Sequence, residues 1–104
     1  MKGDYSMPFY ILHPKDIGIT QKRTNAIIVD VREFTEYQKY HYKNAVNMPY
    51  CDNDNWLKKF CVGNVYILYC DYGNISLLAA RKLAKRGITS YTVVGGAKEL
   101  IRNV

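Results

Sequence analysis

Two short, nearly unbroken apolar runs constrain the fold of this chain more than any other feature. They are Ala26-Ile27-Ile28-Val29-Asp30-Val31 and Val65-Tyr66-Ile67-Leu68-Tyr69-Cys70. A strand with one wet face alternates apolar and polar residues; these two do not, so both faces of each are expected to be buried. The segments between them carry helical spacing. Phe34, Tyr37 and Tyr40 recur at intervals of three within Glu33 to Tyr40, and Trp56, Leu57 and Phe60 follow the turn-prone Asp52-Asn53-Asp54-Asn55. Ser76 to Arg86 holds Leu77, Leu78, Ala79, Ala80, Leu83 and Ala84, with Gly87 as its stop. Shorter strands are expected at Phe9 to Leu12 (stopped by Pro14), at Ala45 to Met48 (ended by Pro49) and at Tyr91 to Val94. Gly95-Gly96 then leads into a short helix ending near Ile101. Buried strands alternating with helices predict an α/β domain, a small parallel sheet with helices on both faces.

The 104 residues suffice for one compact domain, so 1–104 is read as a single unit. No apolar run approaches the roughly 20 residues of a membrane span, and Met1 to Ser6 lacks the apolar stretch of a secretory signal. The expectation is a cytoplasmic protein with no membrane association. Three cysteines, Cys51, Cys61 and Cys70, form no CxxC pair, and the histidines are only His13 and His41. That argues against a disulfide framework and against a metal site. The net charge of +6 is spread over separated pairs such as Lys58-Lys59 and Arg81-Lys82, which reads as a solvated basic surface rather than a nucleic-acid site.

Of the three thiols, Cys70 is placed for chemistry. It ends a central strand and opens a short loop, Cys70-Asp71-Tyr72-Gly73-Asn74-Ile75, before a helix beginning near Ser76. Ligand sites in α/β sheets lie beyond the carboxyl ends of strands, and a helix start presents unpaired N–H groups. A loop curled around Cys70 would point its amides inward as an anion cradle, which favours the nucleophilic thiolate. Gly73 would supply the backbone freedom, Asn74 would tolerate a left-handed conformation, and Ser76 could cap the helix with its hydroxyl. The bland alternative is a small buried hydrophobe at a strand end.

Asp30-Val31-Arg32-Glu33 with Glu36-Tyr37 resembles the first signature of rhodanese domains. His41-Tyr42-Lys43-Asn44-Ala45-Val46-Asn47-Met48-Pro49 looks like their second, Cys70-x-x-Gly73-x-x-Ser76 like their active loop, and Val93-Val94-Gly95-Gly96 like their closing strand and double glycine. The resemblance is strongest over 27–101 and closest to small single-domain bacterial thiosulfate sulfurtransferases. It implies a rhodanese-like fold whose active loop joins a central strand to its helix. It also implies a sulfurtransferase: Cys70 takes sulfur from thiosulfate or a persulfide donor, becomes a persulfide, and passes that sulfur to a thiol or cyanide acceptor. Asp71, Tyr72, Gly73, Asn74, Ile75 and Ser76 would form the binding loop, and no cofactor or metal is implied. Asp30, Arg32 and Glu36 would be structural support, the Asp30 carboxylate on nearby backbone and the Arg32 guanidinium on an acid such as Glu36. A sulfur-relay protein is a further expected partner.

Some positions depart from the family pattern or invite other roles. Asn44 stands where glycine is usual, at a turn that asparagine can also adopt. Asp71 follows the nucleophile where many relatives carry a basic residue in the loop; it is expected to face water, and it puts thiosulfate in question as the donor. Cys51, Cys61, Tyr37, Tyr40, Tyr66 and Tyr69 are expected to be packing residues, His41 is expected to be structural, and Tyr72 could wall the mouth of the site. Phosphatases on this fold use a loop one residue longer, closed by an arginine that clamps phosphate. Neither Ser76 nor Leu77 is arginine, so sulfur is preferred over phosphate, and nothing argues for arsenate reduction. A non-catalytic binding module would be expected to lack Cys70.

Overall fold

The computed structural model describes residues 9–102, so the reading of Met1 to Ser6 lies outside the described residues. Five parallel strands form one sheet in the order β1-β5-β4-β2-β3: β1 (Tyr10–Leu12), β2 (Ile27–Asp30), β3 (Val46–Asn47), β4 (Val65–Tyr69) and β5 (Thr89–Val93). The two apolar runs are neighbours at its centre, with Ile28 opposite Ile67 and Val29 opposite Leu68. Alternate residues feed two cores on opposite faces. Val29, Tyr66 and Leu68 pack with α3 (Asp54–Leu57) and α4 (Asn74–Lys85) on one face. Ile28, Ile67 and Tyr69 pack with α1 (Ile17–Thr24) and α5 (Gly96–Arg102) on the other. A fifth helix, α2 (Phe34–Lys39), lies between β2 and β3. This is the parallel sheet covered on both faces that the unbroken apolar runs predict.

The structure adds two elements to the sequence reading. After β1, Pro14 starts a 3-10 turn (Pro14–Asp16) that runs directly into α1. That helix buries only Ile17 and Thr20 and leaves Ile19 exposed, so it has almost no apolar stripe by which to be recognised. α3 is legible at its start, where the Asn53 side chain accepts the Trp56 N–H at 2.9 Å as an N-cap. Asn44 adopts φ 68°, the left-handed turn expected where the family pattern has glycine. Asn74 does not: it is the first residue of α4, and the non-glycine residues with positive φ among those described are Asn25 and Asn44. No helix among the described residues is long and apolar enough to cross a membrane.

Candidate active site

Cys70 leaves the end of β4 and is 3% exposed. The chain then reverses through Gly73, whose φ of 99° is open to glycine and costly for other residues. A Cβ at Gly73 would meet Gly95 N and Val93 O only at ordinary contact distance, 3.4 and 3.5 Å, so it is the backbone conformation that calls for glycine. The turn brings two backbone donors onto the sulfur: Gly73 N–H at 3.1 Å and Ser76 N–H at 3.3 Å. Both belong to the start of α4, where N–H groups have no partner in the helix. The first turn of α4 therefore uses Cys70 Sγ as its acceptor. Two side chains complete the ring, Ser76 Oγ at 3.6 Å and Asn74 Oδ1 at 3.9 Å, each within reach of the thiol proton. Ser76 does not cap α4 as expected. The cap position is Gly73, and Ser76 sits inside the first turn with its hydroxyl donating to Gly73 O at 3.3 Å.

Gly96 braces the loop from behind. It adopts φ 68°, and a side chain there would collide with the backbone carbonyls of Asp71 and Cys70. This close approach lets Ala97 N–H donate to Cys70 O, tying the start of α5 to the backbone of Cys70 itself.

Cys70 opens into a cavity of about 380 Å³. Asp71, Tyr72, Asn74 and Ile75 line one side of it, and Val31, Arg32, Glu33, Glu36 and Tyr50 the other. Tyr72 is 66% exposed and walls the mouth, with Lys98 Nζ 5.2 Å from its ring centre. Asp71 is not an isolated carboxylate in water. Its side chain is 52% exposed, lines the cavity, and lies 3.5 Å from Arg32 Nη1.

Arg32 and Asp30 form the buried frame beneath this rim. The Asp30 carboxylate accepts the Arg32 backbone N–H at 2.9 Å, Arg32 Nε at 3.0 and 3.1 Å, and Nη2 at 2.8 Å. Nη2 also donates to Tyr40 O at 2.7 Å. Burial works against the guanidinium charge, but the hydrogen bonds and attraction of Asp30 outweigh it and raise the pKa above the ordinary arginine value. The expected pairing of Arg32 with Glu36 is not formed. Glu36 instead meets Lys39 at 3.2 Å on the exposed face of α2 and contributes to the cavity wall. A carboxylate two residues away on the same chain reaches the fork more directly than one across the cavity. Asn47 locks the same corner, its Nδ2 donating to Asp30 O at 3.0 Å and Arg32 O at 2.9 Å.

Tyr66 and Tyr69 are buried as expected, whereas Tyr40 is 52% exposed. Cys51 and Cys61 are exposed rather than packed, because both lie in the polar turns flanking α3. His41 stacks on Tyr37 with ring centres 3.7 Å apart, and its Nδ1–H donates to Tyr37 O at 2.8 Å. Val31, Glu33 and Tyr50 on the cavity wall, Gly96 behind the loop and Thr92 beneath Ser76 were not singled out from sequence as parts of the site. Only the double glycine carried a signal, and it gave no hint of what it approaches.

A family model described as a rhodanese-like domain matches residues 17–103. A tRNA sulfurtransferase of Thermoplasma acidophilum is 39% identical over 67 residues, which are 64% of this chain and 13% of that protein. The thiosulfate sulfurtransferase GlpE of Coxiella burnetii is 26% identical over 76 residues, 72% of this chain and 71% of that one. The expected likeness to bacterial enzymes is thus joined by an archaeal one, and the chain spans only about an eighth of that longer relative. Among solved structures, a rhodanese-related protein from Thermoplasma volcanium superposes with a TM-score of 0.79 at 23% identity, over 90% of this chain and 92% of that one. At that identity the likeness concerns the fold.

Proposed function

Because this chain belongs to the rhodanese-like domain family, we propose that it is a sulfurtransferase that carries sulfane sulfur on Cys70. The observation that carries the reading is the pair of backbone N–H donors, from Gly73 and Ser76, aimed at a single buried sulfur at the base of an open cavity. In the first half-reaction the Cys70 thiolate attacks the outer sulfur of the donor, a new S–S bond forms, and the donor's remainder leaves with the electron pair of the broken bond. In the second, a thiolate or cyanide attacks the terminal sulfur of the Cys70 persulfide and Cys70 leaves as thiolate. Splitting the transfer in this way replaces one hard step by two easier ones. Preorganised donors at the anion supply the stabilisation, about 3 kcal/mol for each donor removed from comparable sites.

Asp71 makes a persulfide the favoured donor over thiosulfate. Its carboxylate occupies the cavity side of Arg32, so a dianion meets a negative charge where it needs a positive one. A persulfide of a small thiol or of a protein brings less charge to that rim. The cyclical partners that follow are a sulfur donor, a thiol acceptor and a sulfur-relay protein. The relay reading draws on the long relative, a tRNA sulfurtransferase, about an eighth of whose length this chain matches. The three free thiols fit a reducing compartment such as the cytoplasm.

Intact mass after incubation with thiosulfate, and separately with glutathione persulfide, tests the reading. The expected result is a gain of one sulfur, lost in Cys70→Ser and retained in Cys51→Ser and Cys61→Ser. A folded protein that takes up sulfur from neither donor overturns it.

A further inference from the structure

Beneath the sulfur ring lies a hydroxyl that no step above uses. Thr92 is on β5 beside Leu68 of β4, 3% exposed, and its Oγ1 donates to Ser76 Oγ at 2.8 Å. Ser76 is fully buried. Buried hydroxyls are held to the partners within reach, because an unmade hydrogen bond there costs more than one in water. With Thr92 donating to its oxygen, the proton of Ser76 is turned away from β5. Two acceptors then remain for it, Gly73 O at 3.3 Å and Cys70 Sγ at 3.6 Å.

We infer that Thr92 is a positioning residue for Cys70, which aims the Ser76 hydroxyl so that it becomes a third donor to the sulfur whenever the sulfur is anionic. While Cys70 is a thiol, its own S–H points to Ser76 Oγ or Asn74 Oδ1 and the Ser76 proton rests on Gly73 O. Once the thiolate forms, the Ser76 proton swings onto Sγ, since a hydrogen bond to an anion is about twice as strong as one to a neutral carbonyl. When the charge moves outward onto an attached sulfur, the same proton returns to Gly73 O. No atom is gained or lost in the swing. Without the Thr92 donor the Ser76 oxygen loses the bond that holds it beside Sγ and that polarises its own O–H, so the hydroxyl is free to turn from the sulfur and the thiolate keeps only the two backbone N–H groups at full strength. The inference rests on Cys70 being the reacting thiol and not on which donor it meets.

Other charged and titratable groups also face Cys70. Arg32 and Glu33 lie beyond β2, Glu36 on α2, and Tyr50 on the segment after β3. Asp71 and Tyr72 are on the loop itself, and Lys98 of α5 stands over Tyr72. All are common to the parent and the variants, so comparing variants isolates the hydroxyl pair.

The test is the pH dependence of Cys70 alkylation by iodoacetamide, resolved from Cys51 and Cys61 by peptide mass. Thr92→Val keeps the shape and removes the donor; its midpoint is expected to lie about half a unit to one unit above the parent, the equivalent of one lost hydrogen bond. Thr92→Ser restores the donor and is expected to return the midpoint to the parent value. Ser76→Ala is expected to rise at least as far as Thr92→Val, and adding Thr92→Val to it is expected to raise the midpoint no further. A parental midpoint in Thr92→Val overturns the inference, and so does a parental midpoint in Ser76→Ala should Thr92→Val not fold. Iodoacetamide needs no sulfur donor, so a failure of sulfur loading and a failure of this relay are read separately.

Discussion

Asp71 and Arg32 stand 3.5 Å apart at the cavity rim, and together they set the field that an incoming donor meets. A half-exposed pair of this kind is worth no more than about 1 kcal/mol, which corresponds to a few-fold change in rate. Asp71→Asn is therefore expected to raise kcat/KM on thiosulfate roughly two- to fivefold at low ionic strength. The gain should fade towards 1 M salt, where screening acts over about 3 Å. An unchanged kcat/KM on thiosulfate would remove Asp71 from donor selection. Arg32 has a second duty below the rim. Arg32→Met strands the fully buried Asp30 carboxylate, which is expected to cost about 3–5 kcal/mol in urea unfolding. A supporting role for Asp30 and Arg32 is the expectation from sequence, because a charge at the end of a buried strand has to be paired. It does not show with whom, since the fork's choice between Asp30, Asp71 and Glu36 depends on where α2 comes to rest.

Among the elements, the turn between β5 and α5 matters as much to Cys70 as the loop that contains it. Gly96 brings backbone against the carbonyls of Cys70 and Asp71, where no side chain fits. Gly96→Ala adds both a collision and a left-handed alanine, expected to cost about 2 kcal/mol or more. For a domain of this size that lowers Tm by roughly 8–16 °C, measurable by calorimetry. At the other side of the sheet, Asn53→Ala removes the cap of α3 and is expected to cost about 1 kcal/mol while leaving Cys70 alkylation unchanged. The strand, loop and helix around Cys70 are legible in sequence because each is local: an apolar run, a glycine and an apolar helical stripe. α1 is not, because its polar residues carry almost no stripe and its start has no side-chain cap. The bracing by Gly96 is not legible either, for it joins residues that only the folded sheet brings together.

For the molecule as a whole, the cost of burying a tyrosine appears at alkaline pH. Tyr69 is fully buried, and burial pushes its pKa well above the ordinary tyrosine value despite the Tyr42 N–H donated to its oxygen at 3.0 Å. The folded state thus holds its proton to higher pH than the unfolded state does. Between the two values unfolding releases a proton, so this contribution is complete below about pH 10 and is lost as pH climbs above it. Thermal melts from pH 9 to 11 are expected to fall more steeply in the parent than in Tyr69→Phe; parallel slopes would refute that origin. The two-sided core was readable from unbroken apolar strands, but the strand order was not, since every neighbour in this sheet is parallel and distant along the chain. Tyr10 of β1 aligns with Tyr91 of β5, so the first strand of this domain pairs with its last. Until residue 93 has emerged, β1 has no sheet partner, Thr92 is not yet beneath Ser76, and the double glycine does not yet brace the loop. A chain ending short of residue 93 is therefore expected to hold Cys70 unbraced, although the loop that surrounds its sulfur is complete by Ser76.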